Sequence, residues 1–271
     1  MIEDQPERYR LARSHSGPDC GGATDVGPVR SRNEDAYWIA GDGSVLVIAD
    51  GLGGLPAGNI ASALAVAAVA QFFSTLTPST LESLAAGPDP ERYGDPSLLA
   101  QAAAEHAQQT VVEASRANPD LRGMATTLVI VVVQGRSAAV LHIGDSRAAV
   151  CREGRIARMT IDQNGAGDLL RSGRITRQQA RLHPGRRIVR EVVGLPGGFE
   201  AESQTWALEP GDAVVLFTDG VSDSLDEDEV ARIVGSAPDG AAAAEALVER
   251  SAIASGHDNA TAVVRYVDRS D

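Results

Sequence analysis

Apolar and polar positions divide the chain into elements of two periods. Residues 1–20 are polar and are expected to form a loose tail. Residues 45–49 (VLVIA) are a β-branched run between Gly43 and Asp50-Gly51, the pattern of a buried strand ending at a turn. Residues 57–76 are alanine-rich with helical spacing, and 97–117 form a second helical stretch closed by Asn118-Pro119. The Pro-, Gly- and Ser-rich stretch 77–97 reads as the loop between them. Short apolar runs follow at 126–134, 137–143, 148–152 and 155–160, with turns at Gly135-Arg136, Asp145-Ser146 and Glu153-Gly154. Connections this tight predict an antiparallel meander. Residues 164–186 are polar and rich in Gly and Arg, with two short helical pieces. A second buried strand, 213–218, ends at Asp219-Gly220; helices at 226–234 and 241–255 and a strand at 260–267 complete the chain. Strands, two helices, strands, two helices, strand: this order predicts one α+β domain over residues 21–271, with helices laid over antiparallel sheets and no βαβ repeat.

Composition narrows the chemistry. The chain has 271 residues, 43% hydrophobic, which is enough to bury a core without staples. All 24 basic residues are Arg, set against 37 acids for a net charge of -13. With no Lys there is no Walker A loop and no Schiff-base or general-base lysine. The acidic balance argues against a nucleic-acid partner. The apolar runs are too short to predict a membrane span. Met1 is followed by IEDQPERYRLAR, with no signal-peptide core. Two cysteines, Cys20 and Cys151, make no disulfide framework. A cytoplasmic location with reduced thiols is expected.

Three apolar strands lead into an aspartate: VLVIAD at Asp50, VLHIGD at Asp145 and VVLFTD at Asp219. A fourth, Asp258, precedes the last strand. Each Asp-Gly pair alone is a common turn. Together they add a second reading, because carboxylates at strand ends can converge on one sheet edge, where they repel unless a cation lies between them. Mg²⁺ or Mn²⁺ takes such oxygen ligands. Arg30 and Arg32, just ahead of Glu34 and Asp35, read either as a solvated charge cluster or as an anion binder, since a guanidinium can grip two phosphate oxygens.

The segments TDVGPVRSRNEDA, VIADGLGGLPAG, GMATTL, LHIGDSRA, LLRSGRITRQQARLHP, LFTDGVSD and GHDNATAVV follow one another in this order. Together they resemble the metal-dependent protein phosphatases (PPM, or type 2C serine/threonine phosphatases) in their bacterial stand-alone form. The resemblance implies a sandwich of two antiparallel sheets with helices on both outer faces. It implies a two-metal centre of Mn²⁺ or Mg²⁺, with Asp50 bridging, the Gly51 carbonyl on one ion, Asp219 and Asp258 as further ligands, and Glu34 holding a metal-bound water beside its neighbour Asp35. Arg30 occupies the phosphate-binding position, Asp145 with Asp219 a third and weaker metal site, and Asn259 a support for the Asp258 loop. Residues 164–192 match the family's flap. The implied reaction is hydrolysis of phosphoserine or phosphothreonine by a water bridging two metals, on phosphorylated proteins, opposing a Ser/Thr kinase, with the protein acting as a monomer.

Three departures follow from the same positions. Leu52 stands where many eukaryotic members carry His, which leaves the leaving-group acid to be sought at His257 or His183. Gln163-Asn164 replaces His-Ser, so flap contacts are expected to differ. GMATT varies the usual second-Gly pattern, as a packing variation. Competing readings are a non-catalytic PPM-like binding module, a narrow-specificity phosphatase of an anti-sigma antagonist, and a GDS-type esterase, the last needing a helix after Ser146. Cys151 is expected in the core.

Overall fold

The computed structural model describes residues 19–52, 57–76 and 95–268. Most of the expected tail and of the 77–97 loop therefore lies outside the described residues. Among the described residues, ten strands form two five-stranded antiparallel sheets. The first has the order β1 (Cys20–Asp25), β10 (Ala260–Tyr266), β9 (Ala213–Phe217), β6 (Arg147–Arg152), β7 (Arg155–Met159). The second runs β2 (Asp35–Ile39), β3 (Val45–Asp50), β4 (Leu128–Gln134), β5 (Ser137–Ile143), β8 (Glu202–Ala207). Cys20, placed in the tail by the sequence pattern, already belongs to β1 and pairs with Arg265.

Alternation along the strands builds three apolar layers. In β3, Leu46 and Ile48 face the other sheet, where, beside Val131 of β4, they meet Val150, Leu216 and Val263. Val45, Val47 and Ala49 face the opposite way, onto the helices. Both faces are buried, which is why the strand reads as a continuous apolar run. Helices α1 (Gly58–Thr75) and α2 (Pro96–Ala117) cover the second sheet through Ala61, Ala65, Val69, Ala100, Ala103 and Ala107. Small side chains there let two helices lie close on one sheet. By length and apolarity α1 reaches what a membrane span needs, at a mean hydropathy of 1.3 over 18 residues, contrary to expectation; its apolar face is packed on β3 and α2.

Helices α5 (Asp219–Ser224), α6 (Glu227–Ser236) and α7 (Gly240–Ala254) cover the first sheet through Val230, Val234, Ala244 and Leu247. Asp226 and Glu229 form a capping box on α6, and Asp239 caps α7. Between β7 and β8 the chain leaves the sandwich as α3 (Gly165–Arg171), α4 (Arg177–Leu182) and a 3₁₀ turn at Pro184–Arg187. Single bridges Asn164↔Val189 and Thr126↔Val193 tie this segment at its ends.

The expected meander is corrected at one turn. β4–β5 and β6–β7 are hairpins, but Asp145-Ser146 does not join neighbours: β5 and β6 belong to different sheets. Gly144 adopts φ +105, where a Cβ would meet Thr127 at 2.7 Å, and the chain there steps from one sheet to the other.

Candidate active site

The step between sheets brings acids from both to one end of the sandwich. Asp35 and Asp50 are directly paired at the β2–β3 end, so their side chains share a face. Asp145 follows β5, Asp219 opens α5 straight after β9, and Asp258 precedes β10. Glu34, Asp50, Gly51, Asp145, Asp219, Asp258 and Arg30 all line one cavity of about 1000 Å³. Asp35 and Asn259 stand behind it.

Their charges act on one another. Burial, then the charges of Asp35, Asp219, Asp145 and Asp258, hold the Asp50 carboxyl well above the usual carboxylate range. Burial, then Asp145, Asp223 and Asp258, do the same to Asp219. Burial pushes Asp145 up to about 7, with Asp162 adding and Arg147 opposing. Burial raises Asp35 to about 6, against hydrogen bonds that favour its charge: Thr218 and Thr261 hydroxyls donate to Oδ2 at 2.9 and 2.6 Å. Asp35 Oδ1 is buried without a hydrogen-bond partner. Carboxylates so placed must either hold protons or share a cation.

The donor set fits a hard divalent cation. It consists of carboxylate oxygens and backbone, with neither thiol nor imidazole among the converging acids. Among the described residues no three acidic, His or Cys side chains close into a cage on a single point. Like charges facing one another stay apart, and an ion of the Mg²⁺ type keeps several waters and needs only one or two carboxylates directly.

Arg30 sits at the mouth, its Nη2 donating to Asp258 Oδ2 at 2.7 Å. Asn259 fastens this side of the cavity: Nδ2 donates to Val26 O at 2.8 Å and Arg32 O at 3.0 Å, and Oδ1 accepts from Glu34 N at 2.9 Å. It thus carries the Glu34 loop as well as that of Asp258. The two glycines after Asp50 and Asp219 have a packing reason. A Cβ on Gly51 would lie 2.2 Å from Gly58 O, and one on Gly220 1.9 Å from Asn259 O.

Other sequence-level candidates separate. Leu52 and His257 line the cavity. His183 caps the 3₁₀ turn, its Nδ1 accepting from Gly185 N at 3.0 Å. Ser146 is buried against Thr127 Oγ1 at 2.8 Å and is followed by strand β6, which removes the esterase reading. Cys151 is in the core, and burial pushes its thiol to about 12. Gln163 holds the sheet-crossing turn, accepting from Gly144 N at 2.7 Å and donating to Glu200 O at 2.7 Å, while Asn164 caps α3.

Sequence reasoning missed three acids or bases of the site. Asp162 clamps Arg147 with two bonds of 2.6 and 2.8 Å beside Asp145. Asp223 lies one helical turn after Asp219 and also faces the cavity. Its i, i+4 spacing was the available signal, hidden because Asp219-Gly220 reads as a turn rather than a helix start.

A family model described as Protein phosphatase 2C matches residues 29–255. The serine/threonine protein phosphatase PstP of Mycobacterium tuberculosis is 32% identical over 246 residues, which is 90% of this chain; the chain spans 44% of that protein's length. Protein phosphatase PhpP of Streptococcus pneumoniae is 29% identical over 251 residues, covering 92% of this chain and 97% of PhpP. The crystal structure of M. tuberculosis PstP superposes with a TM-score of 0.77 at 30% identity, over 92% of this chain and 98% of that one. The PstP catalytic domain in complex with 2 manganese ions gives 0.75 at 30% identity, over 92% and 98%. The converging acids, the sandwich that gathers them and these likenesses agree: the chain belongs to the protein phosphatase 2C family, whose relatives named here are serine/threonine protein phosphatases.

Proposed function

We propose that the chain hydrolyses phosphoserine and phosphothreonine on proteins, with two divalent cations held in the acidic cavity. One observation carries this reading. Acids from β3, the start of α5 and the loops before β2, β6 and β10 meet in a single cavity with Arg30 at its mouth. Asp50 lies at the centre of the set, within the influence of Asp35, Asp145, Asp219 and Asp258, and suits a bridging role. Asp219, Asp258 and the Gly51 carbonyl would complete the pair of sites, Glu34 would hold a water, and Asp145 with Asp219 would offer a third. Bound ions supply positive charge for the phosphoryl oxygens and a water acidic enough to attack phosphorus.

The chain's own residues do the rest. Arg30, oriented by Asp258, grips phosphate oxygens at the mouth and offsets their charge as the bond to the leaving oxygen stretches. Thr218 and Thr261 hold Asp35, which fixes the base of the β2–β3 pair under Asp50. Asn259 holds Arg30's loop to the Asp258 loop. Leu52 offers no proton, and His257 is the imidazole on the cavity wall. Mn²⁺ is the preferred ion in the tube, Mg²⁺ sharing the same oxygen chemistry. The unpaired thiols of Cys20 and Cys151 suit a reducing compartment, where the enzyme opposes a Ser/Thr kinase.

The test is turnover of p-nitrophenyl phosphate and a phosphothreonine peptide with Mn²⁺, Mg²⁺ or EDTA. Turnover is expected with metal, none with EDTA, and a loss of about a hundredfold or more in Asp50→Asn and Asp219→Asn. Metal binding seen by calorimetry without turnover of either substrate would favour a binding module instead.

A further inference from the structure

The segment 164–192 carries seven of the 24 arginines and only two of the 37 acids, so it is a basic island on a strongly acidic chain. Four of those arginines, Arg177, Arg181, Arg186 and Arg187, line the same cavity as the acids. Three are engaged across it. Arg186 pairs with Asp223, Arg181 Nη2 donates to Asp223 O at 3.4 Å, and Arg177 Nη1 lies 3.7 Å from Glu227 Oε1. Arg187 is exposed and pairs with no acid among the described residues. Leu182 and Ile188, which bracket this stretch, are 81% and 70% exposed. Exposed apolar side chains beside a guanidinium without an acid partner, at the edge of the acid-lined cavity, describe a surface suited to a chain with a negative charge.

We infer that Arg187 is a specificity-determining residue that selects phosphoproteins with an acidic side chain or a second phosphate a few positions from the phosphorylated residue. The inference rests on the phosphatase reading above and adds the substrate's flanking charge. A cavity of about 1000 Å³ accommodates several peptide residues, so one ligand reaches both Arg30 and the flap. The cavity's exposed acids that pair with no cation among the described residues, Asp226 and Asp228, lie at the N-cap and in the first turn of α6, where the backbone N–H groups and the helix dipole already offset them. A basic flank therefore finds less to bind than an acidic one.

The probes are three labelled peptides bearing a non-hydrolysable phosphonate in place of the phosphothreonine phosphate. Their flanks carry Asp, Ala or Arg, and binding to the full chain is read by fluorescence anisotropy with Mn²⁺. The acidic-flank peptide is expected to bind about fivefold tighter than the neutral one, the range of one partly exposed charge pair. Arg187→Gln is expected to bring that ratio near one, Arg187→Glu to invert it, and higher salt to shrink it in the wild type. Equal affinities in the wild type, a preference for the basic flank, or a ratio unchanged in Arg187→Gln would overturn the inference. Turnover of p-nitrophenyl phosphate by the same preparation reports separately on the phosphatase reading.

Discussion

Asn259 has no charge and performs no chemistry, yet it makes three of the hydrogen bonds on which Arg30, Glu34 and Asp258 depend. Asn259→Ala would leave Val26 O, Arg32 O and Glu34 N short of their partner. A cost of about 2–4 kcal/mol is expected from groups left unsatisfied in a part-buried site. Urea unfolding in EDTA reads it as a lower midpoint at unchanged slope, and a change under about 0.5 kcal/mol would refute the stapling role. At this scale the sequence was highly informative: each acid that converges on the cavity from a strand end stood out because an apolar run stopped at it. Asp162 and Asp223 did not, because neither ends a strand. What brings them in is a clamp with Arg147 and a helical turn from Asp219, and both are properties of folded neighbours.

At the scale of elements, the junction of β9 and α5 is among the tightest fits of the site. Alanine normally stabilises a helix relative to glycine by about 1 kcal/mol. In Gly220→Ala the added methyl would meet Asn259 O at 1.9 Å, so destabilisation of about 3 kcal/mol or more is expected, with loss of activity. Gly235→Ala, in the exposed end of α6 with nothing nearer than 3.8 Å, is expected to stabilise by about 0.5–1 kcal/mol. Thermal unfolding of the two variants should move in opposite directions, and a shared sign would show that the close approach at Gly220 relaxes freely. Most elements with a strong period were legible, β5 to the residue. β1, β2 and β8 were not: CGGATD, DAYWI and ESQTWA mix small, polar and aromatic residues and carry little alternation. Those strands exist because a neighbour offers them a ladder.

For the whole molecule, the raised carboxyls make stability depend on pH in a defined direction. The unfolded chain releases aspartate protons near pH 4. The folded chain keeps them to about 6 at Asp35 and about 7 at Asp145. Between those values the folded state binds more protons, so stability falls as pH rises. In EDTA the melting temperature is expected to be about 5 °C or more lower at pH 8 than at pH 5.5. Mn²⁺ should raise it more at pH 8, because the cation takes the place of the protons. A melting temperature in EDTA that is flat or rising over this window would mean that these acids do not share one field. Assignment of strands to sheets is also a whole-molecule property, and it was the part least legible in the chain. A tight turn predicts a hairpin, and only two competing sheets make Asp145-Ser146 a bridge between them.

β10 lies between β1 and β9, and it is the sheet neighbour through which β1 joins the sandwich. A ribosome making this chain releases β1 some 240 residues before the strand it pairs with. At roughly 5–20 residues per second, β1 waits on the order of ten seconds or more for its partner. Asp258 and the Thr261 hydroxyl that holds Asp35 emerge in the same late stretch. A nascent chain that has not yet released Asp258 lacks part of the acid set, so on the proposed reading the cavity stays incomplete until the last strand of the sandwich begins to emerge.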